Sequence, residues 1–177
     1  GVDMELIELE KKYRAEGTKF NRVLRLKEEL DKVRDKYDYI FIDTPPSLGL
    51  ITINTMVAAD SIIIPIQCEF YALEGVSQLV ETIKRVKKAL NPDLYIEGIV
   101  MTMYDARTNL AIQVVDEVKR FFPEKVYGTI IPRNIRLGEA PGFGRPVIYY
   151  DESSRGAESY MLLAREIAEK IEGGEAL

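Results

Sequence analysis

Apolar positions along this chain change their period several times, and the changes divide it into elements. Over residues 2–14 and 21–34 the apolar side chains recur at three- and four-residue intervals, which predicts two amphipathic helices separated by the polar stretch AEGTK. From residue 38 that period gives way to short, continuous, β-branched-rich runs: DYIFID (38–43), SIIIPI (61–66), YIEGIVMTM (95–103) and KVYGTIIP (125–132). Runs of this kind are typical of strands covered on both faces of a parallel sheet. Helical spacing returns between them, over 50–58, 72–90 and 109–122, and once more over 153–171. Strands alternating with helices imply right-handed crossovers, so the expected fold is α/β, a doubly wound and mainly parallel sheet flanked by helices. No internal repeat or low-complexity linker interrupts the pattern, and residues 1–177 are expected to form a single domain.

Composition narrows the chemistry. An apolar fraction of 46% with 30% charged residues suits a globular protein with a sizeable core. The longest apolar runs fall well short of the roughly 20 residues that a membrane helix needs, and no signal-peptide pattern opens the chain, so a cytoplasmic location is expected. Cys68 is the only cysteine and histidine is absent, which excludes a disulfide framework, CxxC metal sites, Ser-His-Asp catalysis and histidine-rich zinc sites. With a net charge of −5, any hold on nucleic acid must come from a local cluster of basic residues and not from the overall field. The opening GVDMELIELE has no initiator methionine and runs directly into helical spacing, as expected of a piece of a longer protein.

In a sheet of this class ligands bind beyond the carboxyl ends of the strands, which draws attention to four loops. The first run ends in Asp43, followed by Thr44, Pro45, Pro46 and Ser47. A carboxylate at such a strand tip is where nucleotide hydrolases hold the Mg2+ of a bound triphosphate, and the two prolines suit a stiff loop that reports on the ligand. The competing reading makes Asp43 a cap for the helix that starts near residue 50, or a brace for a turn. Gln67, Glu69 and Tyr71 follow the second run, where simple capping would explain them equally well. Asp105 and Arg107 follow the third; Arg133, Asn134, Arg136 and Arg145 follow the fourth. These arginines could make a basic face on an acidic protein, or be ordinary surface groups paired with Glu117, Glu139 or Asp105. GFGRP lacks a GK[ST] ending and GTKF has no upstream glycine at the phosphate-loop spacing, so neither is a phosphate cradle.

Four blocks carry a more specific signal: YDYIFIDTPPSLGLITINTMVAAD, IPIQCEFYALEGVSQL, MTMYDARTNLAIQVVDEVKRFF and VYGTIIPRNIRLGEAPGFGRPVIYYDESSRGAESYMLLAREI. In this order they closely resemble the chromosomal ParA (Soj) branch of the ParA/MinD deviant-Walker P-loop ATPases, continuously from about residue 23 to residue 167. The resemblance implies DNA segregation: an ATP- and Mg2+-dependent homodimer that binds DNA non-specifically on the nucleoid and is released when a ParB-type centromere-binding partner stimulates hydrolysis. It places Asp43 at the Walker B aspartate, in the magnesium shell through water, and Thr44, Pro45, Pro46 and Ser47 in the switch that follows. Pro132, Arg133 and Asn134 match the loop against the adenine. Arg107 and Arg136 match arginines that contact DNA phosphates.

The family's N-terminal part, with its KGGVGKT-type loop, signature lysine and switch I aspartate, has no counterpart in these residues. Without it the chain alone is expected to bind no ATP or Mg2+ and to be inactive as a hydrolase, because phosphoryl transfer loses its main electrostatic support. At least one strand from the centre of the sheet would be lost with it, leaving exposed edges or an exposed apolar face. Two other readings remain at this point: a short non-hydrolysing module for DNA binding or dimerisation, and a MinD-like membrane positioner. The ending REIAEKIEGGEAL, which has no basic amphipathic targeting pattern, speaks against the second.

Overall fold

A run of apolar residues becomes a strand only where a neighbouring backbone takes up its N–H and C=O groups. The computed structural model describes residues 21–45, 47 and 49–173, and among these the four expected strands meet that condition unequally. The helix expected over 2–14 lies outside the described residues. β1 (Ser61–Gln67) and β2 (Tyr95–Thr102) form a two-stranded sheet. Tyr95 N–H donates to the Asp60 carbonyl at 3.4 Å and Cys68 N–H to the Thr102 carbonyl at 2.9 Å. Partner numbers rise together along both strands, so the pair is parallel.

The run 125–132 joins the far edge of β2 irregularly, at the parallel bridges Ile99↔Val126 and Tyr104↔Pro132 and through Ile131 N–H, which donates to the Met101 carbonyl at 2.9 Å. At residues 128 and 129 the backbone amides leave the ladder. Gly128 and Thr129 donate their N–H groups to the two carboxylate oxygens of Glu166, at 2.6 and 2.9 Å, so a side chain replaces the missing strand partner. The end of β2 bends as well, with Met103 at a φ of 55° just before the second bridge.

The run 38–43 corrects an expectation. It was expected to be an interior parallel strand, yet it is in no ladder among the described residues, and Tyr39, Ile40 and Phe41 are 49%, 40% and 79% exposed. No described backbone lies beside it to accept its hydrogen bonds, and an apolar run alone cannot supply them.

The described residues fall into two compact units, the first made of residues up to 62 together with 78–95, the second of 63–77 together with those from 96 on. In the first unit the helix expected over 21–34 is shorter, α1 (Arg25–Leu30), trailed by a 3-10 turn at Arg34–Lys36. It is tied to α2 (Leu50–Ala58) by Asn54, a buried amide whose hydrogen bonds are satisfied: its Nδ2 donates to the carbonyls of Arg22 and Leu50, and its Oδ1 accepts from Leu26 N–H. Asn91 donates to the carbonyls of Met56 and Ala59, serving acceptors that the end of α2 leaves over. The helix expected over 72–90 is α3 (Ala72–Ala89), of which residues 78–89 belong to this unit.

In the second unit, Val100, Tyr127, Ile131 and Leu163 form a buried cluster with Ile63, Leu137 and Ile167 packed against it. α4 (Asn109–Phe121) starts where the Thr108 hydroxyl accepts from Ala111 N–H, and it buries Ala111, Val114, Val115 and Val118 along one stripe. Three short helical segments follow: α5 (Ile135–Glu139), a 3-10 turn at Ala140–Phe143 and α6 (Val147–Tyr150). The last helix, α7 (Arg155–Glu172), is capped by Ser154. Two glycines allow close approaches. A Cβ on Gly98 in β2 would stand 2.3 Å from the Tyr127 ring, and one on Gly156 in α7 would stand 2.7 Å from Leu137 of α5. Among the described residues no helix is long and apolar enough to cross a membrane.

Candidate functional site

In the first unit one loop carries residues singled out from the sequence. Asp43 ends the unpaired run with its side chain exposed, and it makes no hydrogen bond or ion pair among the described residues. It does not cap α2: the cap position is Gly49, with no side-chain hydrogen bond. The capping alternative for Asp43 is thereby removed. Of the residues that follow, Thr44 is half-buried, Pro45 and Ser47 are exposed, and Pro46 lies outside the described residues. The Thr52 hydroxyl donates to the Ser47 carbonyl and Ser47 N–H to the Pro45 carbonyl, so the first turn of α2 holds the far end of this loop.

In the second unit three such loops stand side by side, held by backbone and side-chain contacts within that unit. Arg133 N–H donates to the Tyr104 carbonyl at 2.9 Å, which joins the loop after β2 to the one after the fourth run. The Arg133 guanidinium pairs with Glu69, from the loop after β1, at 3.0 Å. Asn134 is the cap of α5, its Oδ1 accepting from Arg136 N–H at 2.9 Å, while Pro132 is half-buried beside it in the bridge to Tyr104. Gln67 and Tyr71 are exposed, Tyr71 with its ring edge-on to Phe70.

Each of the two arginines assigned to DNA already has a carboxylate. Arg107 grips Asp105 with two donors, Nε to Oδ1 at 2.9 Å and Nη2 to Oδ2 at 2.7 Å, while its side chain stays 86% exposed. Arg136 lies between Glu139 at 2.8 Å and Asp151 at 3.1 Å, with Tyr150 donating its hydroxyl to the same Glu139 oxygen at 3.1 Å. The structure does not pair Arg107 and Arg136 through a common partner. Glu117 is engaged elsewhere, by Arg120 at 3.7 Å, and Arg145 is exposed with no ion pair among the described residues.

Charge shifts follow these contacts. Hydrogen bonds from Arg107, first from its side chain and then from its backbone, hold the Asp105 carboxyl down at about 2, and the same pair raises Arg107. Glu139, and after it Asp151, raises Arg136. Burial pushes the Cys68 thiol up to about 11, so it is protonated at neutral pH and no nucleophile. Glu139 was within reach of sequence reasoning, three residues along from Arg136. Asp151 and Glu166 were not, since only the packing of α6 and α7 brings them to Arg136 and to Gly128. Among the described residues no group of three or more acidic, cysteine or histidine side chains could hold a metal ion.

A family model described as an AAA domain matches residues 1–96 of the 177. The sporulation initiation inhibitor protein Soj of Bacillus subtilis is 61% identical over 148 residues, covering 84% of this chain and 58% of that protein. The chromosome partitioning protein ParA of Myxococcus xanthus is 55% identical over 150 residues, covering 85% of this chain and 53% of its own. A cobyrinic acid a,c-diamide synthase from Mycobacterium smegmatis, solved with bound ADP and magnesium, matches with a TM-score of 0.73 at 32% identity, over 90% of this chain and 58% of that one. The chain thus spans a little over half the length of the curated relatives it matches. With more than half of its residues under the family model and with relatives of the Soj and ParA kind at this level of identity, the chain belongs to the ParA/MinD family.

Proposed function

We propose that the chain is the greater part of a DNA-segregation ATPase of ParA/Soj type, which dimerises with ATP and Mg2+, holds DNA irrespective of sequence, and is released from the nucleoid by a ParB-type partner. The observation that carries the reading is the 61% identity to Soj over 148 residues. The loop geometry supports it, because the residues in question stand in loops beyond apolar runs, as ligand-binding residues do in doubly wound folds.

The residues present fit part of a magnesium–nucleotide site. Asp43 is an exposed carboxylate without a partner among the described residues, as a contributor to a hydrated Mg2+ must be. A magnesium ion held with a nucleotide would neutralise phosphate charge; Asp43 would orient one of its waters, and Thr44, Pro45, Pro46 and Ser47 would relay that state to α2 through the Thr52–Ser47 hydrogen bond. Pro132, Arg133 and Asn134 would face the base, with the Asn134 amide group still available as a donor once its oxygen caps α5. The charge of the triphosphate itself is not matched by any GK[ST] loop in these residues, so no hydrolytic step is assigned to them.

Joining the chain to a family-type N-terminal segment provides the test. The joined protein is expected to hydrolyse ATP slowly with Mg2+, and Asp43→Ala to abolish turnover, while the 177-residue chain alone shows none. Turnover by the joined protein that Asp43→Ala leaves intact would overturn the role given to Asp43. Turnover by the chain alone would overturn the view that a phosphate loop is required.

A further inference from the structure

The arginines that the proposed function offers to DNA are not free cations. Arg107 is held in a two-point contact by Asp105, two residues before it, and Arg136 is held from two sides by Glu139 and Asp151. A phosphate approaching Arg107 meets two donors already committed to one carboxylate, in the forked geometry a phosphate would itself adopt; one approaching Arg136 meets donors divided between two carboxylates. Resting on the DNA-segregation reading, we propose that Asp105, and Glu139 together with Asp151, are built-in competitors for the DNA backbone, so that DNA is bound by exchanging carboxylate for phosphate at each arginine.

The two exchanges are unequal. Arg107 faces one carboxylate and is 86% exposed, so a phosphate can approach it while Asp105 swings aside. Arg136 is 48% exposed and has two carboxylates, one of them braced by the Tyr150 hydroxyl, whose ring is stacked on Phe143 at 5.0 Å. Releasing Arg136 therefore requires two carboxylates to give way, one of them also held by Tyr150, whereas releasing Arg107 requires only one. Arg107 is the first phosphate contact and Arg136 the more strongly masked one. A protein of net charge −5 whose basic groups are masked in this way holds DNA weakly until both arginines are presented together.

Asp105→Asn is the test, since the amide oxygen can keep the hydrogen bond that Asp105 Oδ1 accepts from Arg107 N–H at 3.1 Å, and so keep the turn, while the charge is removed. Binding to a short mixed-sequence duplex is measured over a salt series, using the protein at its natural length with ATP and Mg2+. Asp105→Asn is expected to tighten binding roughly two- to five-fold, about the equilibrium cost of one exposed ion pair, and to lose that effect in an Arg107→Ala background. Asp151→Asn is expected to do the same through Arg136. Asp116→Asn, an equal change of net charge on α4, controls for the general field and should have a smaller effect that persists in the Arg107→Ala background. If Arg107→Ala weakens binding but Asp105→Asn leaves it unchanged, or tightens it equally with and without Arg107, the competition is refuted and the DNA reading stands. If neither Arg107→Ala nor Arg136→Ala weakens binding, the DNA reading fails and the competition with it.

Discussion

Asp43 in the first unit and Arg107 in the second both stand in loops just beyond an apolar run, yet their surroundings are opposite. Asp43 is bare: no described residue neutralises it, and the backbone that carries it is in no described ladder. Arg107, like Arg133 and Arg136, is already paired, in loops tied to β2 by backbone hydrogen bonds. An unneutralised exposed carboxylate adds almost nothing to the fold and keeps its full charge for a ligand. A paired arginine is positioned in advance but must give up a partner before it can bind.

If the second unit's loops are rigid because the packing beneath them is tight, disturbing that packing should have the largest effect. Gly98→Ala forces a methyl group into the Tyr127 ring from 2.3 Å, and it should destabilise by about 3 kcal/mol, seen as a lower urea midpoint. Glu166→Ala leaves the Gly128 and Thr129 amides without their acceptor and should cost about 2 kcal/mol. Burial raises the carboxyl of Glu166, but hydrogen bonds from the Thr129 side chain and from the Gly128 and Thr129 amides outweigh it and lower the carboxyl. A depressed folded-state value means that the stabilisation is fully present above the unfolded value of about 4.5 and is lost as pH falls through the lower folded one. Stability measured between pH 7 and pH 3 should therefore fall less steeply in Glu166→Gln than in the unmodified chain. Gly156→Ala presses on Leu137 from 2.7 Å; a cost of about 1 kcal/mol is expected, with a displacement of α5 that loosens the Arg136 pairs.

The comparison predicts its smallest effect at Asp43. Asp43→Asn should leave the unfolding midpoint unchanged to within ~0.5 kcal/mol, as for an exposed group without partners. A loss as large as that of Glu166→Ala would mean that Asp43 is a structural residue after all.

How far the sequence could be read follows the same division between local and distant causes. The helix at 50–58 was legible to the residue, and that at 109–121 nearly so, because apolar spacing and the Thr108 cap act within a few residues. β1 and β2 were legible because they found each other. The run 38–43 has equal apolar content and is no strand, since pairing depends on a backbone that the run itself does not contain. The run 125–132 pairs irregularly because Glu166, 38 residues beyond Gly128, takes the amides of Gly128 and Thr129. Within the site, pairing of these arginines with Asp105 and Glu139 was among the readings the sequence left open, and both pairs form. The second hold on Arg136, from Asp151, was not, because it depends on how α6 returns beside α5. The functional roles themselves came from resemblance to a family; spacing alone left capping and surface pairing equally open.

The central claim is that an acidic chain of this family holds DNA through two arginines. It is tested most directly by a salt titration of DNA binding, with ATP and Mg2+, for the protein at its natural length and for its Arg107→Ala, Arg136→Ala double variant. Phosphate contacts carry little base information and each contributes a counterion-release term. The double variant should therefore bind all sequences more weakly, with a logarithmic salt slope smaller by about 2 per protomer, while ATP binding is unchanged. An unchanged affinity and an unchanged slope would contradict the account and return both arginines to the role of surface ion pairs.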